Sequence, residues 1–150
     1  MIKHHITKNC TNYTPRHKEK YKGEFPIICR STWERQFCQW CDINENILSW
    51  ASEPIAIQYS HPLKQRDARY YPDFLVKCRN KQGKTDIWLV EVKPFKETKQ
   101  PTQSRGKSKK TLLYEQSSWI VNKAKWKAAL RYCQLKSWKF KLITEKELFN

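Results

Sequence analysis

The chain has 150 residues, 39% hydrophobic and 13% aromatic, with a formal net charge of +16 and a pI near 9.7. That is enough apolar material for one packed domain and too much for a disordered tail. The charge points to a polyanion partner, with nucleic acid first, and no apolar run approaches the roughly 18 residues of a membrane span, so no membrane role is expected.

Residues 1–26 are polar and basic, carrying Lys3, Lys8, Arg16, Lys18, Lys20 and Lys22 against Glu19 and Glu24. They read as an arm that is loosely packed or ordered on a partner. The opening Met1-Ile2-Lys3-His4-His5 lacks the apolar core of a signal peptide, so a reducing cytosol is the expected compartment. In that setting Cys10, Cys29, Cys38, Cys41, Cys78 and Cys133 read as buried free thiols. Cys38 and Cys41 have half of a zinc-site spacing, but no second pair follows, and His4, His5, His17 and Cys10 fall at no demanding interval.

A helix is expected from Arg30, with Ser31 as N-cap and Glu34 at the capping-box position. Trp33, Phe37, Trp40 and Cys41 form its apolar face. Glu34 has two readings: it returns a hydrogen bond to Ser31, or it points at a metal site. After a polar turn at Asn44 and Asn46, Ile55, Ile57 and Tyr59 alternate as a strand. His61 to Asp67 reads as an irregular loop with His61 on its surface. Arg66 and Arg69 lie just upstream of Asp73, where they can meet a phosphate.

Phe74-Leu75-Val76 and Ile87-Trp88-Leu89-Val90 flank a short polar turn holding Gly83, which predicts a β-hairpin. If Arg79 pairs with Thr85, paired residue numbers sum to 164 and Asp73 faces Glu91. A register slip of one residue replaces that partner by Val90 or Val92. Glu91 and Lys93, two apart, leave the same strand face. Adjacent carboxylates against a packed sheet carry repulsion and desolvation costs, both removed by a divalent cation. Mg²⁺ typically takes one or two carboxylates plus waters and phosphate oxygens, and a neighbouring lysine can orient water.

After Pro94 the chain is basic and punctuated by Pro101, Gly106 and several Ser and Thr. Lys96, Lys99, Arg105, Lys107, Lys109 and Lys110 stand against Glu97, so the stretch 94–111 reads as a loop suited to a DNA backbone. A long helix follows over Leu112–Leu135, with Trp119, Asn122, Trp126, Ala129, Leu130 and Cys133 inward and a basic row of Lys123, Lys127 and Arg131 on another face. Phe140, Leu142 and Ile143 form a last strand, and Glu145–Phe149 close with a helical turn. The order helix, three strands, helix, strand predicts a single α/β (α+β) domain over 1–150, a mixed central sheet flanked by helices. The long helix would be the right-handed crossover between parallel strands.

Pro72-Asp73 followed by Glu91-Val92-Lys93 resembles the PD-(D/E)XK nuclease signature. Arg30-Ser31-x-Trp33-Glu34, Ser52-Glu53-Pro54-Ile55, Tyr71-Pro72-Asp73-Phe74, Glu91-Val92-Lys93-Pro94 and Ala124-Lys125-Trp126-x-Ala128-Ala129 resemble the small head-completion nucleases of T-even-type tailed phages. A more distant resemblance is to the endonuclease subunits of heteromeric transposases. The resemblance implies a restriction-endonuclease-like core and a Mg²⁺-dependent nuclease, with Mn²⁺ as the alternative ion. It implies Asp73, Glu91, the Val92 carbonyl and Glu34 at the metal, and Lys93 assisting hydrolysis. It further implies DNA as substrate, packaged DNA in head completion and head–tail joining as the setting, head or portal proteins as partners, and the host cytoplasm or the virion head as the place. Two alternatives stand beside it: a DNA-binding head plug without catalysis, and a transposase-like endonuclease that needs a partner.

Overall fold

The computed structural model describes residues 10–148. Its centre is a four-stranded sheet in the order β3 (Ile47–Ser52), β6 (Phe74–Arg79), β7 (Thr85–Val92) and β8 (Lys139–Ile143). The first two pairings are antiparallel and β7–β8 is parallel. The connection from β7 to β8 runs through α2 (Lys109–Lys136), the expected crossover helix. Ser108 caps α2 by accepting from Thr111 N at 3.1 Å. The helix therefore starts three residues earlier than its apolar pattern suggests, and Lys109 and Lys110 belong to its first turn.

Side-chain alternation divides the sheet into two faces. Phe74, Val76, Val90 and Val92 pack with Phe37, Cys38 and Cys41 of α1 (Thr32–Ile43) and with Trp50. Leu75 and Leu89 point the other way, toward Trp126, Ala129 and Cys133 of α2. Asp73 and Glu91 share the parity of Leu75 and Leu89, which places both acids on the α2 side. The hairpin register is the expected one: Arg79 opposes Thr85 and Phe74 opposes Val90. Gly83 supplies the positive φ of the turn, at 77°.

Several expectations are corrected. The stretch read as a loop from His61 to Asp67 is a hairpin, β4 (Ile57–His61) paired with β5 (Arg66–Tyr70). Its turn is closed by His61 Nδ1, which accepts from Leu63 N at 3.3 Å and Lys64 N at 3.1 Å. Polar residues on the solvent side of β5 hide its strand character. The basic arm is not loose from residue 10 onward, and residues 1–9 lie outside the described residues. β1 (Thr11–Tyr13) pairs with β2 (Ile27–Cys29), and Tyr13 and Tyr21 are buried. Asp42 ties this segment down. Its carboxylate accepts from Tyr13 Oη at 2.7 Å, Arg16 N at 2.7 Å and His17 N at 2.9 Å. Trp40 on α1 and Leu130 on α2 are exposed, at 37% and 49%, although both were assigned to inward stripes. Cys38 takes a core position on α1 instead.

Cys29, Cys38, Cys41, Cys78 and Cys133 are buried and not disulfide-bonded, as expected. Among the described residues no helix is long and apolar enough to cross a membrane.

Candidate active site

The site forms where β6 and β7 meet on the α2 side of the sheet. Pro72, buried and without an N–H to leave unpaired, delivers Asp73 just before the first residue of β6. Asp73 Oδ2 accepts from Val92 N at 2.8 Å, and its carbonyl accepts from Glu53 N at 2.8 Å. Glu91 is 5% exposed, and its Oε2 lies 3.9 Å from Lys93 Nζ.

The electrostatics of Asp73 and Glu91 are those of an uncompensated pair. Burial pushes both acids up, and the charge of Asp73 raises Glu91 further. Lys93 offsets part of this for each acid. Glu91 Oε1 and the Tyr70 hydroxyl are both buried without a hydrogen-bond partner. Burial raises Tyr70 as well, followed by the charges of Glu91 and Asp73. A buried acceptor without a donor costs about 1–3 kcal/mol. The donor set here, hard carboxylate oxygens with an orphaned lone pair, suits a hard divalent cation.

Glu34 is engaged by Ser31 and also feels the charge of Asp73. Its N–H donates to Ser31 Oγ at 3.1 Å, so Ser31 caps the helix, and its Oε2 lies 3.5 Å from that hydroxyl. Its carboxyl is also pushed up to about 7, by burial first and the Asp73 charge second. Yet among the described residues no three Asp, Glu, His or Cys side chains close into a ready-made metal cage. Of the expected donors, Asp73 and Glu91 share the α2 side of the sheet, and Glu34 lies within electrostatic reach of Asp73. Val92 serves the site here through its N–H to Asp73.

Two contributors, Glu53 and Lys125, escaped sequence reading. Glu53, 5% exposed and with φ at 46°, forms an ion pair with Arg30 at the end of β3. Lys125, from α2, is pushed down by burial and drawn back up by Glu91 and Asp73. Its Nζ lies 5.8 Å from the Tyr70 ring centroid. The signal for Lys125 was its place next to buried Trp126, whereas Lys123, Lys127 and Arg131 face solvent.

The residues expected to meet phosphates lie in several places. Arg66 and Arg69 lie on exposed positions of β5, and Arg69 alternates with Tyr70, so it leaves the hairpin away from the acids. Lys96 lies in a 3₁₀ turn (Phe95–Thr98), and Lys99 covers the Phe95 ring at 4.5 Å. Arg105 is exposed next to Gly106. Lys107 is committed internally, 2.8 Å from Glu115 and donating to Thr102 O at 2.7 Å.

A mixed sheet with crossover helix, carrying an acid from each of two neighbouring strands and a lysine two residues past the second, defines a nuclease of the restriction-endonuclease-like fold. The chain belongs to the TnsA-like endonuclease N-terminal family, whose family model matches residues 44–145. It is also 34% identical over 137 residues to Head completion nuclease of Enterobacteria phage T4, the match covering 89% of each chain.

Proposed function

We propose that this protein is a Mg²⁺-dependent deoxyribonuclease that cuts packaged DNA during phage head completion, so that filled heads accept tails. The reading rests on one observation above the rest: a half-buried Asp73 carboxylate, held by the Val92 N–H, and a buried Glu91 carboxylate on the same face, with the Lys93 ammonium 3.9 Å from Glu91. The similarity to Head completion nuclease supports the setting, the host cytoplasm or the maturing head.

Asp73 and Glu91 would hold the ion, with the Val92 carbonyl and Glu34 as further donors; Mn²⁺ is an alternative occupant. When bound, the ion supplies positive charge for the phosphate oxygens and makes water a better nucleophile at neutral pH. The chain's residues do the rest. The Val92 N–H fixes the Asp73 carboxylate. Lys93, held near Glu91, orients the attacking water and shares the charge that builds on the phosphate. Lys125 approaches from α2 and neutralises a non-bridging oxygen. Arg30 holds Glu53, whose N–H steadies the Asp73 backbone.

The test incubates purified protein with supercoiled plasmid and Mg²⁺, Mn²⁺ or a chelator, beside Asp73→Ala and Lys93→Ala. Nicking by wild type with Mg²⁺, lost in the chelator and in both variants, is expected. Intact plasmid under every condition, with binding retained, would leave the head-plug reading. The transposase-like family match favours one other outcome, cutting only when a partner protein is added.

A further inference from the structure

Beyond the acids lies a feature that phosphodiester hydrolysis alone does not require. A cavity of about 610 Å³ separates the loop after β7 from α2, and a second of about 470 Å³ adjoins it. Glu97, Tyr114, Ser118 and Asn122 line both. The second opens onto Lys93 and Lys125, so the two form one groove that starts at the hydrolytic lysine.

The walls are unusual for plain surface. Tyr114 is 73% exposed and packs into no core. Trp119 is half-buried, held edge-on by Trp126 at 6.0 Å, with Lys123 Nζ 5.8 Å from its ring centroid. Lys96 and Lys99 line the far end. Glu115 is paired with Lys107, which leaves Lys96 and Lys99 against Glu97 beside two aromatic rings, a combination suited to stacking and phosphate tracking in single-strand binders. A base offers its face to a side chain only after leaving the duplex stack, because pairing and stacking cover it.

We propose that this groove is a binding subsite for an unpaired DNA strand leaving the active site, with a base stacked on Tyr114 and the next reaching Trp119. Ser118 and Asn122 supply hydrogen bonds to base edges, and Lys96 and Lys99 follow the phosphates. The preferred substrate is then a duplex with an unpaired flank rather than a blunt or continuous duplex. The proposal takes its ligand, DNA, from the nuclease reading.

The test is fluorescence anisotropy in chelator, where no cleavage occurs. Wild type, Tyr114→Ala and Tyr114→Phe are titrated with a fluorescein-labelled blunt duplex and an overhang duplex of equal phosphate number. Wild type is expected to bind the overhang about tenfold more tightly. Tyr114→Ala should bring that ratio to about one, and Tyr114→Phe should keep it, since the ring face is retained. A wild-type ratio near one, or a ratio that survives in Tyr114→Ala, overturns the proposal. Because binding is read without catalysis, failure of plasmid cleavage and failure of this subsite give different results.

Discussion

Asp42 and Glu91 are both buried carboxylates, yet the fold treats them in opposite ways. Burial pushes Asp42 up, but the Arg16 N–H, the Tyr13 hydroxyl and the His17 N–H outweigh it, and the acid ends below its usual range. Glu91 has burial and Asp73 against it and only partial help from Lys93 and the Tyr70 hydroxyl, and it ends well above. One acid is supplied with donors and anchors the N-terminal segment to α1. The other keeps an unpartnered oxygen. A buried charge whose donors come from its own chain is structural; one left short of partners is poised for something that arrives from outside.

Substitutions at the two acids and at Lys93 break this comparison most sharply. Lys93→Ala and Glu91→Gln should each lower plasmid cleavage by about 10²–10³-fold, measured as initial nicking rate. In chelator, Glu91→Gln should raise stability by about 1–2 kcal/mol in urea unfolding, since it removes an uncompensated charge. Asp42→Asn should do the reverse. It turns an acceptor of three hydrogen bonds into a mismatched amide and should cost about 2–4 kcal/mol in the same measurement. Equal signs for the two substitutions would remove the distinction.

A smaller effect concerns Glu34. Its carboxyl ionises near 4.5 when unfolded and about 7 when folded, so between these values the native state binds more protons. Stability from this group is thus present at low pH and lost as pH rises through 7. The difference between Glu34→Gln and wild type in chelator should be near zero below pH 4.5 and reach on the order of 1–3 kcal/mol in favour of the variant by pH 8. A flat difference would show that Glu34 is only a cap. Least of all, Lys123→Ala should weaken DNA binding modestly and reduce the salt slope by about 1, because the residue lies on the solvent face of α2.

The hairpin was readable because its information is local. A five-residue turn with Gly83 at positive φ sets the register, and register sets Asp73 opposite Glu91. The Ser31–Glu34 cap was readable for the same reason. Arg66 to Tyr70 was misread because an exposed hairpin strand needs no apolar alternation on its wet side. Glu53 was unassigned because its partner, Arg30, is 23 residues away and meets it only when β2 and β3 pack together. Lys125 stood in a row of lysines that look alike on paper.

The sequence by itself determined a basic α+β fold, a hairpin with its acids in register and a lysine on the same face, since strand periodicity and turn length act over a few bonds. Tertiary structure alone decided which of many cations reaches those acids, that Asp42 is satisfied while Glu91 is not, and that α2 and the loop after β7 enclose a groove. Those outcomes depend on how the hairpins and α2 pack against the sheet, and packing brings together groups whose separation along the chain carries no pattern.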